Sequence, residues 1–173
     1  DPLDKTGLSE WFAQSLETGG TASLTPTQLE EELDRMAAQL SVTSSSYAFQ
    51  IDLSIHQRDL TRAMKLLTDL VRRPRFDPER VELARQQLIE AVHRQNDRPA
   101  AIAGRHLAQA INPGHPFGVE PTLKTLDNLV EADLVAVHQR FFQPQQTWWA
   151  ISGAINKDDI LELLAVYVGD WEN

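Results

Sequence analysis

The sequence predicts an α+β fold: an antiparallel sheet with helices packed on one face. Three observations predict it. Apolar residues recur at helical spacing through most of the 173 residues. Between the second and third helical stretches the spacing switches to strict alternation, the mark of a strand with one buried face. The two strand-like runs found there follow each other with no crossover helix between them, which parallel pairing would require.

The elements follow in order. Thr6 to Leu16 carries Leu8, Trp11, Phe12 and Leu16 at helical spacing, and Gly19-Gly20 ends that helix. Thr25-Pro26-Thr27-Gln28 is a capping box with proline at the first helical position, and the helix it opens is expected to carry Leu29, Leu33, Met36 and Leu40 on one face. Ala48 to Ile55 alternates, with Phe49, Ile51, Leu53 and Ile55 on one side and Gln50, Asp52 and Ser54 on the other. Leu40–Ser44 is read as the strand paired with it. Leu60 to Val71 is helical and is closed by Arg72-Arg73-Pro74. Asp77-Pro78 opens a long helix reaching about Gln95, with Asp as cap and Pro at the first position. Arg98-Pro99 breaks it, a further helix runs from Pro99 to Ile111, and Asn112 to Gly118 is a loop. Glu131 to Phe142 is helical, Thr147–Ser152 is expected to be a buried third strand, and Asn156-Lys157-Asp158-Asp159 caps a last helix reaching about Val168.

Composition narrows function. Hydrophobic residues make up 42% and charged residues 24%, ordinary values for a globular domain. The absence of cysteine removes disulfides, thiolate metal sites and cysteine nucleophiles together. A formal net charge of -9 argues against nucleic acid as a partner, because phosphate binding needs a basic footprint. No apolar run approaches the ~18 residues of a membrane-spanning helix. The chain opens at Asp1-Pro2 without a methionine and is read as an internal piece.

Short phrases spread along nearly the whole chain carry a resemblance. They are Lys5-Thr6-Gly7-Leu8, Gly20-Thr21, Pro74-Arg75-Phe76-Asp77-Pro78-Glu79, Asn96-Asp97-Arg98-Pro99, Gly114-His115-Pro116-Phe117-Gly118, Phe142-Gln143-Pro144, and Gly169-Asp170-Trp171. In this order and spacing the chain resembles the N-terminal half-domain of pitrilysin/insulinase-type zinc peptidases. The resemblance implies a single domain over 1–173 that lacks the strands preceding the first helix, and so is truncated at its N-terminus.

Active members of that family bind zinc through H-x-x-E-H on the first helix, with the Glu as general base and a second Glu from the long helix as third protein ligand. Carried onto this chain, the first His position falls on Glu10, the catalytic Glu on Ala13, the second His on Gln14 and the third ligand on Ala91. Glu90 is one residue away, which on a helix is a turn of about 100°. No metal is expected, and zinc only in an active partner. His56, His93, His106, His115 and His138 contain no pair four residues apart. His115 is expected to be structural, and His93 and His106 to be exposed polar positions. Ser44-Ser45-Ser46 lacks any nucleophile motif, and Glu30-Glu31-Glu32 reads as a solvated helix face. Trp148-Trp149 reads as one core and one boundary aromatic.

The resemblance implies a use for a domain without zinc. Family members enclose substrate between clam-like halves, and in several an active subunit pairs with an inactive homologue. The expected role is a non-catalytic subunit beside an active zinc peptidase homologue. Its substrate would be an extended peptide lying as an added strand along Leu40, Ser41, Val42, Thr43 and Ser44. The family prefers Asn-Ala where this chain has Ser41-Val42, so the side-chain pockets differ. Two other readings are a stand-alone extended-peptide or chaperone-like module, and one piece of an active metallopeptidase whose catalytic site lies elsewhere. A periplasmic or exported location is what the bacterial resemblance suggests.

Overall fold

Phe12 organises the interior. Its ring is fully buried and meets Phe49 at 4.8 Å, Phe142 at 5.2 Å and Phe76 at 5.6 Å between centroids. These rings come from four distant parts of the chain, which identifies the elements that share one core. The structure is a computed structural model and describes residues 1–172.

Helix α1 (Leu8–Thr18) buries Leu8, Trp11, Phe12 and Leu16, the four positions its periodicity assigns to the core. Helix α2 (Pro26–Arg35) starts at Thr25 with both halves of the capping box formed. It ends before Leu40, which lies on a strand and not on the helical face expected for it. Strands β1 (Gln39–Ser44) and β2 (Phe49–Ser54) form an antiparallel hairpin with Val42 opposite Ile51. Helices α3 (Leu60–Arg72), α4 (Pro78–Arg94) and α5 (Pro99–Ile111) follow. A short α6 (Leu123–Asp127), which the sequence reading did not contain, places Leu126 in the core. Helices α7 (Glu131–Phe141) and α8 (Lys157–Val168) complete the described chain.

The sheet is amphipathic as its alternation requires. Leu40, Val42, Phe49, Ile51 and Leu53 pack against the helical core, while Gln39, Ser41, Thr43, Gln50, Asp52 and Ser54 are exposed. Helices therefore cover one face. Helix α1 is held to α4 by the Trp11 indole, whose Nε1–H donates to the Val81 carbonyl at 2.9 Å. Asp1 caps the start of α1 by accepting from the Gly7 and Ser9 amides. Gly7 itself has φ +102°, and a Cβ there would lie 2.8 Å from the Leu126 side chain, so both conformation and space select glycine.

The third expected strand does not form. Thr147–Ser152 joins no ladder, and the sheet among the described residues has two strands. Its burial still alternates, with Thr147, Trp149 and Ile151 half-buried and Trp148, Ala150 and Ser152 exposed. Strand pattern and strand structure separate here because a strand is defined by its partner. An apolar/polar period of two aligns a segment with a surface, but the ladder needs a second backbone about 4.8 Å away.

Candidate functional site

The α1–α4 contact is where the sequence reading expects the remains of a metal site. Val81, Ala84 and Leu88 are the buried residues of α4, spaced three and four apart. Ala91 continues that stripe by one more step of three, so it shares the α1-facing side of the helix. Ala91 and Glu10 are exposed, Ala13 is 3% exposed, and Gln14 is half-buried. The four positions lie on α1 and α4, two helices that pack against each other. The side chains there are a carboxylate, an amide and two methyl groups. Glu90, displaced around the helix, pairs with Arg94 at 3.5 Å on the exposed surface. Among the described residues no group of three or more His, Cys, Asp or Glu is positioned to hold a metal ion. One imidazole-free carboxylate beside an amide does not make the His-and-carboxylate set that holds zinc in peptidases.

The histidines have other roles. His115 is structural, as expected: its Nδ1 accepts from the Phe117 amide at 3.2 Å. His93 and His106 are exposed. His138 lies half-buried between Phe142 and Phe76, and its Nε2–H donates to the Val71 carbonyl at 2.8 Å. Burial lowers its pKa, and the bond to Val71 opposes that shift in part. Glu30, Glu31 and Glu32 line a solvated face, paired with Arg80, Arg35 and Arg62. The tryptophan pair departs from expectation. Trp148 is 91% exposed and Trp149 is only half-buried, because the segment that carries them has no neighbouring strand.

The hydrogen-bond phase of the hairpin fixes what each sheet edge offers. The Ser45 amide donates to the Ala48 carbonyl, so that pair faces inward. Counting along the register, Ser44/Phe49, Val42/Ile51 and Leu40/Leu53 are the pairs whose main-chain groups point away from each other. The outer edge of β1 therefore presents Leu40, Val42 and Ser44, and that of β2 presents Phe49, Ile51 and Leu53. The β1 edge is the one expected to take peptide. Its central amide is already engaged, since Val42 N–H donates to Glu17 Oε2 at 2.8 Å. Sequence reasoning missed Glu17, although it lies four residues after Ala13 and so on the same face of α1.

The β2 edge opens onto a trough of about 1590 Å³. Phe49 and Leu53 of β2, Trp149 and Ile151 of the segment after α7, and Met64 and Leu67 of α3 line it.

The insulinase family profile, peptidase family M16, matches residues 1–123. The chain belongs to this family. An uncharacterized zinc protease of Mycobacterium leprae is 22% identical over 160 residues, covering 91% of this chain and 36% of that protein. Subunit 1 of the mitochondrial cytochrome b-c1 complex of Bos taurus is 22% identical over 162 residues, 92% of this chain and 34% of its own length. Among solved structures, a protease from Helicobacter pylori superimposes with TM-score 0.87 at 15% identity, over 100% of this chain and 42% of that one. A peptidase M16 inactive domain from Pseudomonas fluorescens superimposes with TM-score 0.71 at 18% identity, over 78% of this chain and 33% of that one. These likenesses establish the half-domain fold of M16 peptidases. The chain spans about a third of the length of the curated relatives it matches.

Proposed function

We propose that this M16 domain is non-catalytic, forms part of a substrate chamber, and supports proteolysis by an active homologue that carries H-x-x-E-H. One observation carries the reading. On the family resemblance, Glu10, Ala13, Gln14 and Ala91 take the four positions where metal and base would be, on the mutually packed helices α1 and α4. Without a metal no water is acidified, and without a carboxylate at position 13 no base stands in place to take its proton. Family membership and the likeness to an inactive M16 domain support the same reading. Extended peptide, in this proposal, adds as a strand along Leu40, Ser41, Val42, Thr43 and Ser44, held mainly by main-chain groups.

Two companion proposals follow. The domain is continued by strands that lie outside residues 1–173, and the trough beside β2 is where they enter the sheet. Its alternating walls and apolar lining fit that use. The second concerns the stand-alone peptide-binding reading, also favoured by the outward carbonyls of β1, which have no donor among the described residues. It separates from the chamber reading by whether an active partner is needed.

The test uses the full-length protein that contains this domain and an intact H-x-x-E-H homologue from the same source. Metal analysis after dialysis and hydrolysis of a quenched-fluorescence peptide are measured for each protein and for the mixture. The proposal expects no zinc near Glu10, no cleavage assignable to this domain, and faster turnover on mixing. Tightly held zinc that is lost on Glu10→Ala would overturn it. Restoring activity should need Glu10→His, Ala13→Glu, Gln14→His and Ala91→Glu together, because groups that act as a unit lose nearly everything when one is absent.

A further inference from the structure

The β1 edge is not a bare edge. Of its three outward amides, the central one, on Val42, is taken by the Glu17 carboxylate at 2.8 Å. The Leu40 and Ser44 amides have no acceptor among the described residues. Val42 is 5% exposed, so its N–H has little access to water, and an acceptor there is required by the cost of leaving a buried donor unpaired. The acceptor comes from α1, which packs along β1. It reaches the rung from the side on which a further strand would lie. A peptide strand joining β1 pairs with Val42 through two bonds, one of which puts a peptide carbonyl at the Val42 N–H. Glu17 Oε2 already occupies that acceptor position.

We propose that Glu17 is a built-in competitor for the peptide edge: its carboxylate stands in for a substrate carbonyl at the central rung of β1 and sets how tightly extended peptide binds there. The proposal rests on the reading that β1 takes peptide as an added strand. A carboxylate is a stronger acceptor than an amide carbonyl, so exchanging it for a peptide carbonyl costs affinity at this one rung. Leu40 and Ser44 give up only water when they pair. Peptide therefore binds by the outer rungs first and completes the ladder only when Glu17 swings aside. An edge of this kind favours peptides that pair over several residues and rejects short contacts. It is also shielded against unselective strand pairing, the standing hazard of an exposed edge.

The experiment uses the full-length protein and its Glu17→Ala and Glu17→Gln variants. The probe is a fluorescein-labelled peptide of alternating threonine and valine with lysine ends, together with the same peptide N-methylated at alternate residues. Anisotropy gives affinity, and hydrogen exchange follows the Val42 amide. The expected result is that Glu17→Ala binds the peptide about tenfold more tightly, the size of one charge-assisted bond no longer broken. Glu17→Gln falls between, because its amide oxygen still accepts but carries no charge. The Val42 amide exchanges faster in Glu17→Ala without peptide and slows again with it, and N-methylation abolishes binding in all three.

If Val42 exchange accelerates in Glu17→Ala while peptide binds no more tightly than to the wild type, Glu17 is a structural cap and the proposal is overturned. If no variant binds peptide although the Val42 amide is freed, the edge reading itself fails, and the competitor role fails with it. If Glu17→Ala does not fold, Glu17→Gln decides alone, and binding equal to or weaker than wild type overturns the proposal.

Discussion

The two edges of the hairpin are built from similar alternating sequence and meet opposite surroundings. The β1 edge faces α1, has its central amide capped by Glu17, and carries Val42 as a core residue. The β2 edge faces a trough, and Phe49, Ile51 and Leu53 are only half-buried on its wall. Across that trough Thr147–Ser152 keeps strand-like alternation in burial yet pairs with nothing. The difference teaches that alternation selects a face, whereas a neighbour makes a strand. It also divides the molecule energetically. On the α1 side, side chains have partners on all sides and each truncation leaves a hole. On the trough side, Trp149 and Ile151 border open space, so removing atoms from them changes little until something fills it.

The largest expected effect tests the packed side. Phe12 is fully buried and in contact with three aromatic rings. Phe12→Ala should destabilise by about 3–5 kcal/mol, combining lost transfer energy with an unfilled cavity. Denaturant midpoints measure it. A cost near that of an exposed site would mean the ring cluster is not the core, and the contrast between the two sides would collapse.

Most of this packed side was legible in the sequence. Leu8, Trp11, Phe12 and Leu16 follow helical spacing and are buried, and the Thr25 capping box forms as written. The hairpin is legible because its alternating run closely follows the short strand-like run at Leu40–Ser44, and the turn at Ser45–Ala48 closes it. Leu40 was misassigned because it extends a helical spacing by one more step of four, and a spacing carries no stop signal. The five-residue α6 went unseen because its cap partner is Thr125, where a sequence reading looks for Glu or Gln. Thr147–Ser152 was misassigned because pattern reports a surface and not a partner. The residue types at Glu10, Ala13, Gln14 and Ala91, and the absence of two histidines four apart, were legible because both are properties of the sequence. Glu17 was not, because its role depends on the tertiary placement of an edge amide.

A middle-sized effect tests the loop that joins α1 to α2 and its anchor on α3. Asp69 is buried on α3, accepts from the Ser23 hydroxyl at 2.5 Å and pairs with Arg73 at 2.7 Å. Burial alone would raise its pKa, but the Ser23 and Thr21 hydroxyls and the Arg73 charge together hold it below the usual carboxylate value. A depressed carboxylate contributes stability that is full above the unfolded pKa of about 3.9 and is lost as pH falls through the folded value. The wild type should therefore lose this contribution only in acid, below about pH 4. Asp69→Asn should cost about 1–3 kcal/mol near neutral pH, by weakening the buried acceptor of the Ser23 hydroxyl and removing the charge that pairs with the solvent-exposed Arg73, and should flatten the acid limb of the stability curve. Urea melts across pH measure both. An unchanged acid limb would show that Asp69 does not set it.

The smallest effect is expected on the trough side, and it discriminates most. Trp148 is 91% exposed, on the opposite face of its segment from Trp149 and Ile151. Its indole touches little, so Trp148→Ala should change stability by no more than about 0.5 kcal/mol, the range of surface substitutions. Ile151→Ala belongs beside it. Ile151 is half-buried on the trough wall, and with the trough open its truncation should cost less than the roughly 2–5 kcal/mol of a buried isoleucine. The pair is measured twice, in residues 1–173 and in the full-length protein. If further strands enter beside β2, the cost of Ile151→Ala should rise toward the buried value in the full-length protein, because Ile151 then sits on a sheet that is closed on both sides. Trp148→Ala should stay small in both, since its side chain lies on the opposite face of the segment from Trp149 and Ile151. Equal, small costs for Ile151→Ala in the two proteins would mean that the trough stays open and that the asymmetry between the edges belongs to the finished molecule.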